Sequence, residues 1–164
     1  MPAPAAGLDR RTRSVRAYLT AMSKQPTAVI DALAEIDLFA GLSRRQLAAI
    51  ADECRERRFP AGTEIVAEGD TAGRLYVIRS GEAVVNVHGT KVNSIGPGAV
   101  FGEIALIDRG PRSAQVVAVT DVDTYSLASF NFRPLVRENA DVAYRLLLAM
   151  CARLRKAESE NFMC

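Results

Sequence analysis

The chain has 164 residues, the length of a single domain, and its apolar share of 49% is enough to build one buried core. Charged residues make up 24% of the chain and nearly cancel to a formal net charge of +2, which excludes a strong overall field for nucleic acid or an anionic membrane. No apolar run reaches the roughly eighteen residues of a membrane span, and the three dispersed cysteines Cys54, Cys151 and Cys164 predict free thiols in a cytoplasmic protein.

The first 26 residues are predicted to be a basic extension of the domain. Residues 1–24 carry five basic side chains and a single acidic one, whereas the rest of the chain is slightly acidic. Because such terminal segments are usually solvated, we place the folded domain in residues 27–164.

Helical spacing of apolar residues begins at Thr27 and continues to Leu38, where Gly41 soon interrupts it. Ser43 precedes a second apolar stripe and is predicted to be the N-cap of another helix. The sequence therefore predicts two short helices before residue 54.

Two hairpins are predicted in the region that follows. The β-branched runs 75–79 and 83–87 lie on either side of a short loop that contains glycine, which favours a hairpin between them. A second hairpin is predicted to pair residues 84–87 with residues 92–95 across Gly89-Thr90.

Further extended runs at 113–119 and 124–127 bring the expected number of short strands to about eight, all between residues 54 and 128. Closure of these strands into a barrel would remove exposed sheet edges. The predicted fold is mainly β with flanking helices: an eight-stranded jelly-roll-like barrel with N-terminal helices and C-terminal lid helices.

The C-terminal helices are predicted at about residues 129–158. Ser129 is the expected cap of the first, and Asn139 is the expected cap of a long amphipathic helix. A leucine stripe follows on that helix: Leu146, Leu147 and Leu154. The stripe is interpreted as core packing, with a seam between two copies of the chain or a signal relay as the alternatives.

The candidate binding residues lie in segment 95–114, where glycines and an isolated helical turn interrupt the strands. A short helix beginning at Glu103 would present free backbone amides to a phosphate, and Gly102 would let a ligand approach the backbone. Arg112 can clamp two phosphate oxygens with parallel charge-assisted bonds. Glu103 would repel a phosphate, so we expect it to accept a hydrogen bond from a sugar hydroxyl.

The residues of this segment, and the single histidine, were also compared with three other kinds of site. Glu103 and Arg112 taken alone would fit a surface ion pair. The glycines of 96–102 resemble a dinucleotide fingerprint, but no long helix in a βαβ unit follows them. His88 is the only histidine, which is too few for a cupin-type metal site or for a nucleophile with its base, so no metal ligand and no catalytic residue is predicted.

The sequence FGEIAL at 101–106, followed by PRSA at 111–114, resembles the phosphate-binding cassette of the cyclic-nucleotide-binding domain family. The resemblance extends through the turns at 59–62 and 68–70 and covers about residues 37–157. It implies a barrel that binds cAMP, with cGMP as the alternative, and needs no cofactor.

The resemblance also implies a role for each cassette residue. The ribose 2′-hydroxyl would be bound by Glu103, and Gly102 would admit the sugar. The cyclic phosphate would be bound by Arg112 and by the amides of Ile104 and Ala105.

The base would be recognised by residues outside the cassette helix. Ser113 is similar to the serine of cAMP-binding regulators, although its hydroxyl would also suit a syn guanine. In this family the C-terminal helix usually caps the base, and its spacing favours Arg153 with Leu154, with Tyr144 and Phe162 as alternatives.

These observations predict a non-catalytic sensor that binds a cyclic nucleotide and transmits occupancy through its C-terminal helices to a protein effector. A ligand-independent interaction module on the same fold is the alternative. No recognition helix is found after the long helix, so sequence-specific DNA binding is not expected, and a homodimer through the C-terminal helices is a further expectation.

Overall fold

A computed structural model describes residues 26–71 and 73–161 of the chain. The N-terminal helices come first. Helix α1 covers Pro26–Ala34, a 3-10 turn covers Asp37–Phe39, and α2 covers Arg44–Glu53. The first helix is thus shorter than the predicted pattern, which continued to Leu38. The predicted basic extension at 1–26 lies almost wholly outside the described residues.

Ser43 is the N-cap of α2, as predicted, and forms a complete capping box. Its hydroxyl accepts a hydrogen bond from the Gln46 amide at 3.2 Å, while the Gln46 side chain accepts one from the Ser43 amide at 2.8 Å. Two of the helix's free amides are satisfied in this way, which fixes where α2 begins.

Eight strands follow, and they form two four-stranded antiparallel sheets. The strands are β1 (Arg55–Phe59), β2 (Glu64–Val66), β3 (Arg74–Ser80), β4 (Ala83–Val87), β5 (Thr90–Ile95), β6 (Val100–Phe101), β7 (Gln115–Ala118) and β8 (Val122–Ala128). One sheet has the order β1-β8-β3-β6 and the other β2-β7-β4-β5. The predicted jelly-roll-like fold of eight strands is confirmed, but within the described residues the strands do not join into one closed hydrogen-bonded barrel.

Side chains from both sheets form the core between them. Buried residues from β2, β4 and β7 on one side meet buried residues from β3, β6 and β8 on the other, among them Val66, Ala83, Ile78 and Phe101. The sheets therefore pack face to face, which is the arrangement of a double-sheet jelly roll.

The first predicted hairpin is wrong, because β3 pairs with β6 and β8 whereas β4 pairs with β5 and β7. Gly81 has a φ of 87° and turns the chain from one sheet into the other. The connection is then fixed by Glu82, whose amide donates to the Thr120 hydroxyl at 2.9 Å and whose carbonyl accepts from the Val119 amide at 2.8 Å.

The second predicted hairpin is confirmed, with its turn one residue earlier than expected. Val87 pairs with Thr90, so the two loop residues are His88 and Gly89, with φ angles of 50° and 76°. Two successive positive φ angles define the type of two-residue turn that matches the twist of antiparallel strands.

Three helices complete the fold. Helix α3 (Glu103–Asp108) lies between β6 and β7, and α4 (Ser129–Glu138) and α5 (Ala140–Asn161) follow β8. Ser129 was predicted to be the N-cap of α4, but this is wrong, because Ser129 is the first residue of the helix. Ala128 is the N-cap, and no side-chain hydrogen bond caps the helix there. Asn139 does cap α5, because its side-chain oxygen accepts from the amides of Asp141 and Val142.

A second core joins the helices to one sheet. It contains Leu33 and Phe39 from the N-terminal region, Leu106 from α3, Phe132 from α4 and Val142 from α5. Helix α3 therefore shares one core with the helices at both ends of the described chain. In the part of the chain that the structure describes, no helix is both long enough and apolar enough to cross a bilayer.

Candidate functional site

The site is built around the step from β6 into α3. Gly102 forms this step with φ 88° and ψ 0°, in the left-handed region that favours glycine. A Cβ atom at this position would lie 2.5 Å from Nη1 of Arg112 and 2.7 Å from the carbonyl oxygen of Arg74. The guanidinium group of Arg112 fills the space beside Gly102, and Gly102 also lines the cavity described below, so its predicted role of admitting a ligand stays a prediction.

Arg112 is buried, with a relative exposure of 4%. Its Nη1 donates to the Gly102 carbonyl at 2.7 Å, and its Nη2 donates to the Arg74 carbonyl at 2.6 Å. The third nitrogen, Nε, is buried and has no hydrogen-bond partner among the described residues. Backbone groups thus fix the orientation of the guanidinium while leaving part of its donor capacity unused.

The backbone of Arg112 is held just as firmly. Its amide donates to the Asp70 carbonyl at 2.8 Å, and its carbonyl accepts from the Gly69 amide at 2.8 Å. These bonds tie the start of the β7 segment to the turn at 68–70, which the sequence predicted. The position of Arg112 is therefore determined by parts of the chain about forty residues away from it.

No carboxylate lies within 4.0 Å of the Arg112 nitrogens in residues 26–71 and 73–161. Burial lowers the pKa of the Arg112 guanidinium from its ordinary value, and the nearby Tyr76, Glu103 and Asp70 oppose this effect. An arginine stays charged at neutral pH, so Arg112 is a buried cation that no carboxylate of the described residues neutralises. Such an arrangement is unfavourable unless an anion enters.

Glu103, the first residue of α3, is also buried, with an exposure of 3%. Its carboxylate forms an ion pair with Arg153, which comes from the C-terminal helix α5 and is 51% exposed. The interpretation of Glu103 and Arg112 as an ion pair with each other is therefore wrong. Each has a separate partner set: backbone carbonyls for Arg112 and a distant arginine for Glu103.

A cavity of about 340 Å³ brings most of the predicted site residues together. The predicted residues that line it are Gly102, Glu103, Ile104, Ala105, Arg112, Ser113 and Arg153. Leu154 does not line the cavity, and its side chain is exposed, as is that of the alternative Tyr144. Phe162 lies outside the described residues.

The cavity also contains residues that the sequence reasoning missed. Lys156, Ala157 and Glu160 line it from α5, and Asn93 lines it from β5. The first three follow Arg153 by three, four and seven positions, the spacing of one helix face. That periodicity could have identified them once Arg153 was chosen, and it also explains why Leu154 points elsewhere.

The floor of the site is connected to the helices. Leu106 of α3 is fully buried, and its carbonyl accepts a hydrogen bond from Nε of Arg133 in α4 at 2.7 Å. This bond joins α3 to α4, and both helices share the second core with α5.

The fold is a double-sheet jelly roll, and beside the first turn of α3 it holds the buried guanidinium of Arg112, which has no carboxylate within 4.0 Å among the described residues. Comparison with known proteins gives the class more narrowly. The family model described as "Cyclic nucleotide-binding domain" matches residues 56–139. The chain belongs to the cyclic nucleotide-binding domain family.

Relatives of two kinds are similar to the chain. The cAMP-dependent protein kinase regulatory subunit of Aspergillus niger is 38% identical over 115 residues, which are 69% of this chain and 28% of that protein. The crystal structure of the Thermus thermophilus catabolite activator protein has a TM-score of 0.69 and 32% identity, covering 77% of this chain and 62% of that one.

A third relative is the regulatory domain of Toxoplasma gondii PKA, whose structure was determined with cAMP. It has a TM-score of 0.72 and 26% identity, covering 82% of this chain and 52% of that one. The chain spans less than two thirds of the length of each of these three proteins.

Proposed function

We propose that the chain binds a cyclic nucleotide, with cAMP as the preferred ligand, in the cavity between α3, the sheets and α5. The observation that carries this proposal is Arg112, a buried cation with a free Nε and no carboxylate among the described residues. A cyclic phosphodiester carries one negative charge and would neutralise it. The cAMP-containing structure of the Toxoplasma relative supports the choice of ligand.

The phosphate is bound from two sides. Arg112 contributes Nε and the Nη hydrogens that the carbonyls do not use. The amides of Ile104 and Ala105 lie in the first turn of α3, where helix amides have no partner within the helix. Because Arg112 is buried, its charge-assisted bonds to the phosphate are stronger than such bonds at a surface.

The sugar is bound by Glu103, whose carboxylate accepts a hydrogen bond from the 2′-hydroxyl. Ser113 follows Arg112 on the cavity wall and contacts the purine. Because the Ser113 hydroxyl would suit either purine, we assign cAMP rather than cGMP on the strength of the relatives and treat cGMP as a competing ligand to be measured.

The base is covered by α5. Arg153 already lines the cavity, and Leu154 would reach the base only after a rotation of the helix. We propose that ligand binding favours one arrangement of 129–138 and 140–161 over another, to an extent set by its difference in affinity for the two. The bond from Arg133 to Leu106 supports this route.

The proposed unit is a non-catalytic regulatory domain at 27–164, preceded by a basic extension at 1–26, that acts on a protein effector. Exposed apolar side chains on α5 support contact with such a partner or with a second copy of the chain: Tyr144, Leu147, Leu148 and Leu154.

Calorimetric titration tests the proposal. We expect saturable binding of cAMP, weaker binding of cGMP, and little binding of 5′-AMP, whose phosphate is doubly charged and not cyclic. Arg112→Met keeps the buried volume but removes the charge, and should weaken cAMP binding about hundredfold, or about 2.7 kcal/mol. Arg109→Met is the matched control, since Arg109 is exposed and outside the cavity lining. Equal cAMP affinity of the two variants would refute the proposal.

A further inference from the structure

A second cavity, of about 360 Å³, lies between α2 and α4 and shares no lining residue with the cavity at Arg112. Its lining is apolar in the middle, where Ile50 and Leu127 are buried and Leu135 is half-buried. Each helix also contributes one exposed carboxylate, Glu53 from the end of α2 and Glu138 from the end of α4. We call this cavity the α2/α4 groove.

The α2/α4 groove carries negative charge. Among the described residues, neither Glu53 nor Glu138 forms an ion pair, and no basic side chain lines the groove. Asn131 donates a hydrogen bond to Glu53 at 2.6 Å, which joins the two helices but does not neutralise the carboxylate. An apolar surface between two such carboxylates is complementary to a segment with an apolar stripe and basic side chains beside it.

The N-terminal segment of the same chain has this pattern. Its apolar residues recur at helical spacing: Leu8, Val15, Leu19 and Met22. Arg11 lies four positions before Val15, which is the spacing of neighbours on a helix. Arg16 lies three positions before Leu19 and would be beside the stripe in the same way. Segment 8–22 therefore matches the groove in both apolar character and charge.

The position of α1 makes the groove accessible to this segment. The described chain begins at Pro26, the first residue of α1, and α1 shares a core with α2 and is joined to it by the ion pair of Asp31 with Arg44 at 3.3 Å. Residues 20–25 can span about 20 Å when extended. Helix α1 has nine residues, a length of about 14 Å, so the chain is long enough to bring Leu19 to the groove.

We propose that segment 8–22 of the chain binds as an amphipathic helix in the α2/α4 groove of the same molecule. Its apolar stripe packs on the apolar middle of the groove, and its arginines lie near Glu53 and Glu138. The bound segment contacts α2 and α4 together and so stabilises their packing. This inference does not depend on nucleotide binding, and it gives the basic extension an intramolecular role.

Hydrogen–deuterium exchange of the full chain tests the proposal. Leu19→Asp places a charge in the apolar stripe and should raise the exchange rate of amides in 46–53 and 131–139 about fivefold, because the groove loses its cover. Ala17→Asp is the matched control: it adds the same charge two positions away, on the opposite side of a helix, and should leave these rates unchanged. Amides of β8 should keep their protection in both variants, which shows that the fold is intact.

A substitution in the groove gives a second, independent measurement. Glu138→Arg reverses the charge of one wall and should raise the exchange rate in 46–53 by a similar factor, because it repels the basic segment. Glu35→Arg is the matched control, since Glu35 is also exposed but does not line the groove.

Faster exchange in Leu19→Asp and Glu138→Arg, at every protein concentration, supports the proposal. The proposal is overturned if Leu19→Asp exchanges like Ala17→Asp, because the stripe then does not cover the groove. It is also overturned if Glu138→Arg exchanges like Glu35→Arg. Protection that is lost when the unsubstituted protein is diluted would show that a second copy of the chain, rather than the molecule's own segment, occupies the groove, and this too would overturn it.

Discussion

Substitution of Gly102 by alanine perturbs the site at the point where α3 begins. The φ of 88° is strained for any residue with a Cβ, which costs about 1–2 kcal/mol. The new methyl group would also lie 2.5 Å from Nη1 of Arg112 and 2.7 Å from the Arg74 carbonyl, and relief of such a clash costs about 1–3 kcal/mol. We expect a loss of about 3 kcal/mol in the free energy of unfolding.

Gly98→Ala separates strain from the clash. Gly98 has a φ of 85°, but a Cβ there would have no atom of the described residues within 4 Å. It should therefore lose only about 1 kcal/mol, and thermal melts should fall by about 3 °C against about 9 °C for Gly102→Ala. Arg112 must move in Gly102→Ala but not in Gly98→Ala. Titration should therefore show at least tenfold weaker cAMP binding in Gly102→Ala and unchanged binding in Gly98→Ala. Wild-type affinity in a folded Gly102→Ala protein would refute the assigned position of the guanidinium.

Three further predictions concern stability and reactivity. Ser43→Ala removes the capping box of α2 and should lower the free energy of unfolding by about 1 kcal/mol in urea titration; an unchanged midpoint would contradict the cap. Arg133→Ala leaves the buried Leu106 carbonyl without its donor, and should weaken the protection of α3 amides from exchange while the β-sheet amides keep theirs. Burial raises the pKa of the Cys54 thiol to about 11, so at pH 8 only about 0.1% is thiolate, and iodoacetamide should modify the exposed Cys151 far faster than Cys54 in a mass-spectrometric time course.

The cassette could be predicted from the sequence because its chemistry is local. Gly102, Glu103 and Arg112 lie within eleven consecutive residues, and the resemblance of 101–106 and 111–114 to the family's cassette, rather than Glu103 and Arg112 alone, pointed to a binding site. The sequence could not show which groups Arg112 and Glu103 form hydrogen bonds with. The acceptors for Arg112 are carbonyl oxygens, one of them on Arg74, and any residue type presents the same carbonyl.

Strands β1 and β6 were not predicted, because their own residues do not show the pattern of a strand. Residues 55–59 read RERRF, four of them charged, and lack the alternation of a half-buried strand. They form an edge strand, where charged side chains are usual, and the buried Thr124 and Ser126 of β8 donate hydroxyl hydrogen bonds to its carbonyls. The two-residue β6 is too short to produce any pattern.

The assignment of the first hairpin failed because local patterns do not show which sheet a strand joins. The loop after β3 has the glycine and the length of a hairpin, but its residues bond to the connection between β7 and β8, about forty positions away. Contacts at that separation decide the pairing. The same holds for Arg153, whose bond to Glu103 crosses fifty positions.

The central claim is that the buried guanidinium of Arg112 receives the cyclic phosphate. A crystal structure of the chain with cAMP measures this most directly. We expect phosphate oxygens within about 3 Å of Arg112 nitrogens and of the Ile104 and Ala105 amides. A complex in which the phosphate lies away from Arg112, bound by Arg153 or Lys156 at the cavity mouth, would contradict it.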